Sequence, residues 1–148
     1  YTTSILAKTE ATIAGYDEAI LLNYDGTVSE GSGENLFLVQ NGRVSTPGET
    51  DNCLLGITRS SVITLANKEL GIDVIQRPIH RSELYLADEI FLTGTAAHIT
   101  AVGELDNRQI GNGDIGPITK ALQDIYASVV RGNHAQYKHW CSGVSINK

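Results

Sequence analysis

Methionine is absent from this 148-residue sequence, so it carries no initiator, and a processed or cleaved start ahead of Tyr1 is expected. No apolar run approaches the roughly 20 residues that span a bilayer, and the start lacks the charged-then-apolar order of a secretory signal. Basic charge is scarce. Eleven Lys and Arg against seventeen Asp and Glu give a formal net charge of −6, the wrong sign for a surface that tracks phosphates along nucleic acid, and the cations are scattered. Two cysteines, Cys53 and Cys141, are far apart and read as incidental reduced thiols of a cytoplasmic enzyme. The four histidines show no HExxH or Cys/His ligand spacing, so no metal is expected. A Walker A loop, a Gly-x-Ser-x-Gly elbow and a dinucleotide fingerprint are missing as well.

What is present suits one globular domain spanning residues 1–148, with 41% hydrophobic and 19% charged residues. Residues 2–14 have the spacing of a helix ending at Gly15, and Ala19–Leu22 that of a short strand. A turn at Asn23–Gly26 and a bend at Glu30–Glu34 follow. Asn41-Gly42 between Asn35–Gln40 and Arg43–Thr46 is a strong hairpin signal. Pro47–Leu55 reads as a loop, and Ile57–Leu70 as a helix closed by Gly71. Further on come a strand over Ile72–Gln76, a short helix over Arg81–Tyr85 and a strand over Glu89–Thr93. Extended structure is expected over Ile99–Leu105, then a hairpin return at Asn107–Ile110 and an amphipathic helix over Ile118–Val130. A tail containing Trp140 docks last. Strands and helices mix without strict alternation, which predicts an α+β fold.

Three bends could carry chemistry. At Leu54-Leu55-Gly56-Ile57-Thr58-Arg59 a loop turns into a helix, so the Ile57 and Thr58 N–H groups and the Thr58 hydroxyl could cradle a phosphate. Taken alone, that stretch is more often ordinary capping. Gly94-Thr95-Ala96-Ala97 offers a second set of backbone donors after an apolar strand; alone it is a simple turn. Glu30 and Glu34 bracket Gly31-Ser32-Gly33, as an acid/base pair, a cofactor-nitrogen partner or two solvated loop residues. Lys8, Lys68, Lys120, Lys138 and Lys148 read as solvated, beside no motif, and His98 as surface or packing.

Together these stretches resemble the class IV (fold type IV) pyridoxal-phosphate aminotransferases, the branched-chain members most closely. The match runs through Ser29-Glu30-Gly31-Ser32-Gly33-Glu34-Asn35-Leu36-Phe37, Leu55-Gly56-Ile57-Thr58-Arg59 and Leu84-Tyr85-Leu86-Ala87-Asp88-Glu89. It continues through Phe91-Leu92-Thr93-Gly94-Thr95-Ala96-Ala97 and Gly116-Pro117-Ile118-Thr119. The resemblance implies the cofactor-binding C-terminal domain of the D-amino-acid aminotransferase-like fold, with mixed and antiparallel sheets in a pseudo-barrel flanked by helices.

It also implies roles. Glu30 pairs with the pyridine nitrogen of pyridoxal 5'-phosphate, Leu54 packs on its ring, and Tyr1 bonds its phenolic oxygen. The Ile57 N–H, Thr58 and Thr95 hold the phosphate. The N–H groups of Thr95 and Ala96 receive the substrate carboxylate, and the role of Glu34 stays open. The family's Schiff-base lysine aligns upstream of Tyr1, and the small N-terminal domain is likewise outside the sequence. No catalytic residue is therefore expected in this chain. The implied activity of a longer parent is transfer of the amino group of leucine, isoleucine or valine to 2-oxoglutarate, by a homo-oligomer. D-amino-acid aminotransferase, aminodeoxychorismate lyase and a non-catalytic phosphate-binding or assembly fragment are the alternatives.

Overall fold

A computed structural model describes residues 2–143. The order is α1 (Thr2–Ile13), β1 (Ile20–Leu22), β2 (Val28–Gly31), β3 (Asn35–Gln40), β4 (Arg43–Thr46), α2 (Ile57–Leu70) and β5 (Val74–Gln76). Then come α3 (Arg81–Leu84), β6 (Glu89–Gly94), β7 (His98–Val102), β8 (Glu104–Leu105), β9 (Arg108–Gln109) and α4 (Pro117–Val130). The main sheet has five strands in the order β5-β4-β3-β6-β7; β1–β2 and β8–β9 form separate two-stranded ribbons. The β4–β5 pair is parallel and the other pairs of the main sheet are antiparallel. The α+β expectation holds. These strands do not close into a barrel among the described residues, because β7 and β5 remain edges of the main sheet.

β3 and β6 form the spine. Both are apolar on both faces, as strands covered on two sides must be. One face carries Phe37, Val39 and Phe91, packed with Val62 and Leu65 of α2 and Leu122 and Val129 of α4. The Phe37 and Phe91 rings stack at 4.9 Å between centroids, an arrangement that contributes about 1 kcal/mol beyond burial. The other face carries Leu36, Leu38, Ile90 and Leu92, packed with Val28, Ile79, Leu84 and Ile110. The side chains alternate across the pleat, so a slip of one residue would exchange the two faces.

Local chemistry sets the ends of the elements. Asn41 and Gly42 take φ of 50° and 72°, the pair of left-handed residues that a two-residue hairpin with matching twist requires. Gly71, at φ 65°, donates its N–H back into α2, and the Ile72 N–H reaches the Ala66 carbonyl. Ile72 thereby joins the helix terminus, and β5 begins later than its apolar pattern suggests. β7 likewise stops at Val102. A side chain at Gly103 would lie 2.7 Å from the Gly113 carbonyl oxygen, so the chain bends and restarts in the β8–β9 ribbon. At the C-terminal side Tyr137 is buried, and its hydroxyl donates to Glu69 Oε1 at 2.7 Å.

Candidate cofactor site

The residues singled out in the sequence gather where β3 begins and β6 ends. Asn35 pairs with Thr93 across these strands, while the loop before α2 lies against Asn35. Asn35 Nδ2 donates to the Leu54 carbonyl at 2.6 Å and to Glu30 Oε2 at 3.4 Å. The Leu54 N–H donates to the same Glu30 oxygen at 2.8 Å. Glu30 is thus pinned by one carboxylate oxygen, and Oε1 has no hydrogen-bond partner among the described residues. Asn35 is the residue that sequence reasoning passed over. Its signal was a polar side chain, now buried, opening the otherwise apolar run Leu36–Val39.

Gly56 passes within reach of Asn35 for want of a side chain: a Cβ there would lie 2.4 Å from Asn35 Oδ1. Helix α2 starts immediately after it with no side-chain cap and no acidic residue in its first turn. The first N–H bonded back into the helix is that of Ser60, to the Gly56 carbonyl. The N–H groups of Ile57, Thr58 and Arg59 therefore stand without helical acceptors, at the positive end of the helix dipole. The capping reading of Thr58 is not what the chain adopts. Its side chain is buried, whereas those of Ile57 and Leu54 are 86% and 73% exposed.

Helix α4 is also 14 residues long and starts after a glycine, yet its terminus is filled. Glu89 of β6, only 6% exposed, accepts the Ile118 and Thr119 N–H groups at 3.0 and 2.7 Å and the Thr119 hydroxyl at 2.6 Å. One helix of this domain brings its own anion. The other leaves its donors open beside Glu30.

Arg59 does not add a cation to that opening. Its guanidinium is buried and donates to the Pro47 carbonyl and Gln76 Oε1 at 2.8 and 2.9 Å, tying down the loop before the helix. Ser29 Oγ fixes the same loop through the Asn52 carbonyl at 2.9 Å. Cys53 points into it, its thiol pushed up by burial; both cysteines are free.

The second anion-ready bend, Thr95–Ala96, is exposed at the turn from β6 to β7. It packs against the Glu30–Glu34 bend through Gly94, where a Cβ would lie 3.2 Å from Glu34 Cγ and from the Gly33 carbonyl. The structure thus brings Glu30, Leu54, Ile57, Thr58 and the Thr95–Ala96 turn around one end of the sheet. Tyr1 lies outside the described residues. None of these residues lines a cavity of about 770 Å³ that opens between α1 and β7 and is bounded by Ala7, Ala14, Leu92 and Val102. His98, at φ 55°, meets Tyr126 edge-on and is exposed. Lys8 is not merely solvated: its ammonium donates to Glu18 Oε2 at 2.7 Å and to the Asp17 carbonyl.

Residues 1–105 match the model of the amino-transferase class IV family. The chain belongs to the class IV aminotransferases. Among curated relatives, a probable branched-chain-amino-acid aminotransferase of Aquifex aeolicus is 60% identical over 97% of this chain and 46% of its own length. The branched-chain-amino-acid aminotransferase of Pseudomonas aeruginosa is 46% identical over 95% and 45%. Among solved structures, the branched-chain enzyme of Thermobaculum terrenum in its PLP form superposes with a TM-score of 0.92 at 46% identity, covering 95% of this chain and 46% of that one. The branched-chain aminotransferase of the archaeon Thermoproteus uzoniensis, solved with norvaline, gives 0.90 at 47%, covering 95% and 46%. The chain therefore spans about half the length of the relatives it matches. Among the described residues no helix is long and apolar enough to cross a membrane, and no group of three potential metal ligands occurs.

Proposed function

We propose that this chain is the cofactor-holding domain of a branched-chain-amino-acid aminotransferase. Its parent protein transfers the amino group of leucine, isoleucine or valine to 2-oxoglutarate. The observation that carries the assignment is the open N-terminus of α2 beside a carboxylate that keeps one oxygen free. A phosphate suits the first feature and a protonated ring nitrogen the second, at the two ends of a pyridoxal phosphate. That cofactor supplies an electron sink for the bond-breaking at the amino acid Cα. This chain's residues bind and orient it.

The Ile57 N–H, Thr58 and Thr95 hold the phosphate, Leu54 covers the ring, and Tyr1 bonds the phenolic oxygen. Glu30, pinned through Leu54 and Asn35, keeps the proton on the ring nitrogen. The Thr95 and Ala96 N–H groups receive the substrate carboxylate. No residue here serves as the Schiff-base lysine, and with the small N-terminal domain it belongs to the remainder of the parent. A cytoplasmic homo-oligomer is the assembly we assign to that parent.

Full-length parent protein is the material for the test. Visible absorbance should report bound cofactor, and turnover should require 2-oxoglutarate with a branched-chain amino acid. Thr58→Ala should chiefly weaken cofactor binding, by about tenfold, the worth of one hydrogen bond to a charged group. Glu30→Gln should cut turnover far more than cofactor retention. Equal losses of both in Glu30→Gln would remove the ring-nitrogen role, and turnover only with D-amino acids would replace the substrate assignment.

A further inference from the structure

The turn between β6 and β7 is held at both of its roots. Gly94 and His98 form the last pair of the two strands, so Thr95, Ala96 and Ala97 make up the turn itself. On the Gly94 side the backbone packs against the Glu30–Glu34 bend. On the other side stands helix α4. Gln123 Nε2 donates to the Ile99 carbonyl at 2.9 Å. The Tyr126 ring meets the His98 imidazole at 89°, with 5.9 Å between centroids. Residues three apart share a helix face, so α4 grips two successive residues at the start of β7. The helix is itself anchored, because Glu89 of β6 accepts the N–H groups of Ile118 and Thr119. Inside the hairpin, the Thr100 hydroxyl donates to the Ala97 carbonyl at 2.8 Å.

His98 takes its place in this brace at φ 55°, the left-handed region that is costly for a residue with a Cβ. Glycine would adopt the same backbone without strain, so what histidine adds is its ring. Strain of this kind persists where the surroundings over-determine it, and it clusters at ligand clamps. Here it adjoins a turn whose Thr95 and Ala96 are exposed.

We propose that His98 is a positioning residue: braced by Tyr126 of α4, it fixes the Thr95–Ala96 turn in the shape that presents its two N–H groups to the substrate carboxylate. The inference rests on the aminotransferase reading above and adds a role that the surface and packing readings of His98 do not contain. His98 touches neither substrate nor cofactor; it acts through the turn. Donors that are already fixed spare the ligand the cost of ordering them. The cofactor phosphate keeps Ile57 and Thr58 whatever the turn does, so a loosened turn weakens the carboxylate more than the cofactor.

Full-length parent protein loaded with pyridoxal phosphate supplies the test, with the variants His98→Gly, His98→Phe and Tyr126→Leu. The readouts are the Kd of 4-methylvaleric acid (a branched carboxylate with no amino group), KM and kcat for leucine, the cofactor Kd and the thermal midpoint. His98→Gly keeps the left-handed backbone and removes the ring; His98→Phe keeps a ring and strains the backbone more. For glycine the expected result is a rise of about fivefold in the acid Kd and in KM, the scale of ordering one loose segment on binding. Its kcat and cofactor Kd should stay within about twofold. Its thermal midpoint should hold, because relief of the left-handed φ offsets the freedom that glycine gains in the unfolded chain. Phenylalanine should lower the midpoint and yet keep the acid Kd within about twofold of wild type. Tyr126→Leu should weaken the acid as glycine does, and adding His98→Gly to it should change little further. An acid Kd that follows the thermal midpoint across the variants, rather than the presence of the ring, would overturn the proposal. So would a His98→Gly protein that binds the acid normally, or one that loses cofactor and acid equally. Because 4-methylvaleric acid binding requires no turnover, wild-type protein that binds it but does not transaminate would sink the functional reading alone.

Discussion

Replacing Gly56 by alanine separates the fit of the site from the backbone freedom of glycine. Gly56 adopts φ −64° and ψ 147°, a conformation open to any residue, so alanine costs nothing in backbone strain. By restricting the unfolded chain it should even add about 0.4–1 kcal/mol of stability. The opposing effect is local. The new Cβ would lie 2.4 Å from Asn35 Oδ1, at least 0.6 Å inside the closest contacts that real side chains make. Asn35 is buried and cannot swing into solvent. Its amide must turn and give up the bonds to the Leu54 carbonyl and Glu30.

Stranding a buried polar group costs about 1–3 kcal/mol, so a net loss of about 1–2 kcal/mol is expected once the entropic gain is subtracted. Cofactor affinity should fall about tenfold, equivalent to about 1.4 kcal/mol, because Glu30 and Leu54 lose a common anchor. Urea unfolding of the apo-protein and its titration with pyridoxal phosphate measure the two quantities. Gly56→Ala combined with Asn35→Gly, which clears the space, should cost at least about 1 kcal/mol less than the sum of the single changes. A Gly56→Ala protein that is more stable and binds cofactor as before would refute the role given to Asn35.

Two further expectations concern the frame around the site. Glu89→Ala would leave the Ile118 and Thr119 N–H groups and the Thr119 hydroxyl without their acceptor. It should destabilise the fold by about 3–5 kcal/mol, as loss of a buried charged partner does, with Glu89→Gln recovering part of this; denaturant midpoints decide it. Burial, with help from the bond to Glu69, pushes the Tyr137 hydroxyl up to about 12. A raised folded-state titration means stability that is fully present below pH 10 and lost as pH climbs from 10 towards 12. Tyr137→Phe should flatten that alkaline slope in unfolding measured against pH.

What could be read from the sequence was whatever short-range chemistry decides. The Asn41-Gly42 hairpin needs two left-handed residues and has them, and α2 runs from Gly56 to Gly71 because both ends are marked by glycines of different use. Long-range partners were hidden. Lys8 reads as one more solvated helix residue until the segment leading into β1 brings Glu18 within reach of it. Glu89 reads as a strand opener, although its partner is the start of a helix some thirty residues later. The site residues themselves were legible as three separate bends, each with an ordinary alternative. Asn35, the side chain that joins two of them, gave only the weak signal of a polar residue before an apolar run.

The pairing of Asn35 with Thr93 joins residues about sixty positions apart. Until β6 has been synthesised and has annealed to β3, the loop at Leu54 and the turn at Thr95 have no common surface. A nascent chain that stops short of β6 can form its hairpin and even α2, but it lacks the Thr95–Ala96 turn. Ligand therefore cannot template the early steps of folding; it can only stabilise what a long loop closure has already completed. Production of such a protein should respond to added pyridoxal phosphate after release from the ribosome, as protection of a finished domain, rather than during elongation.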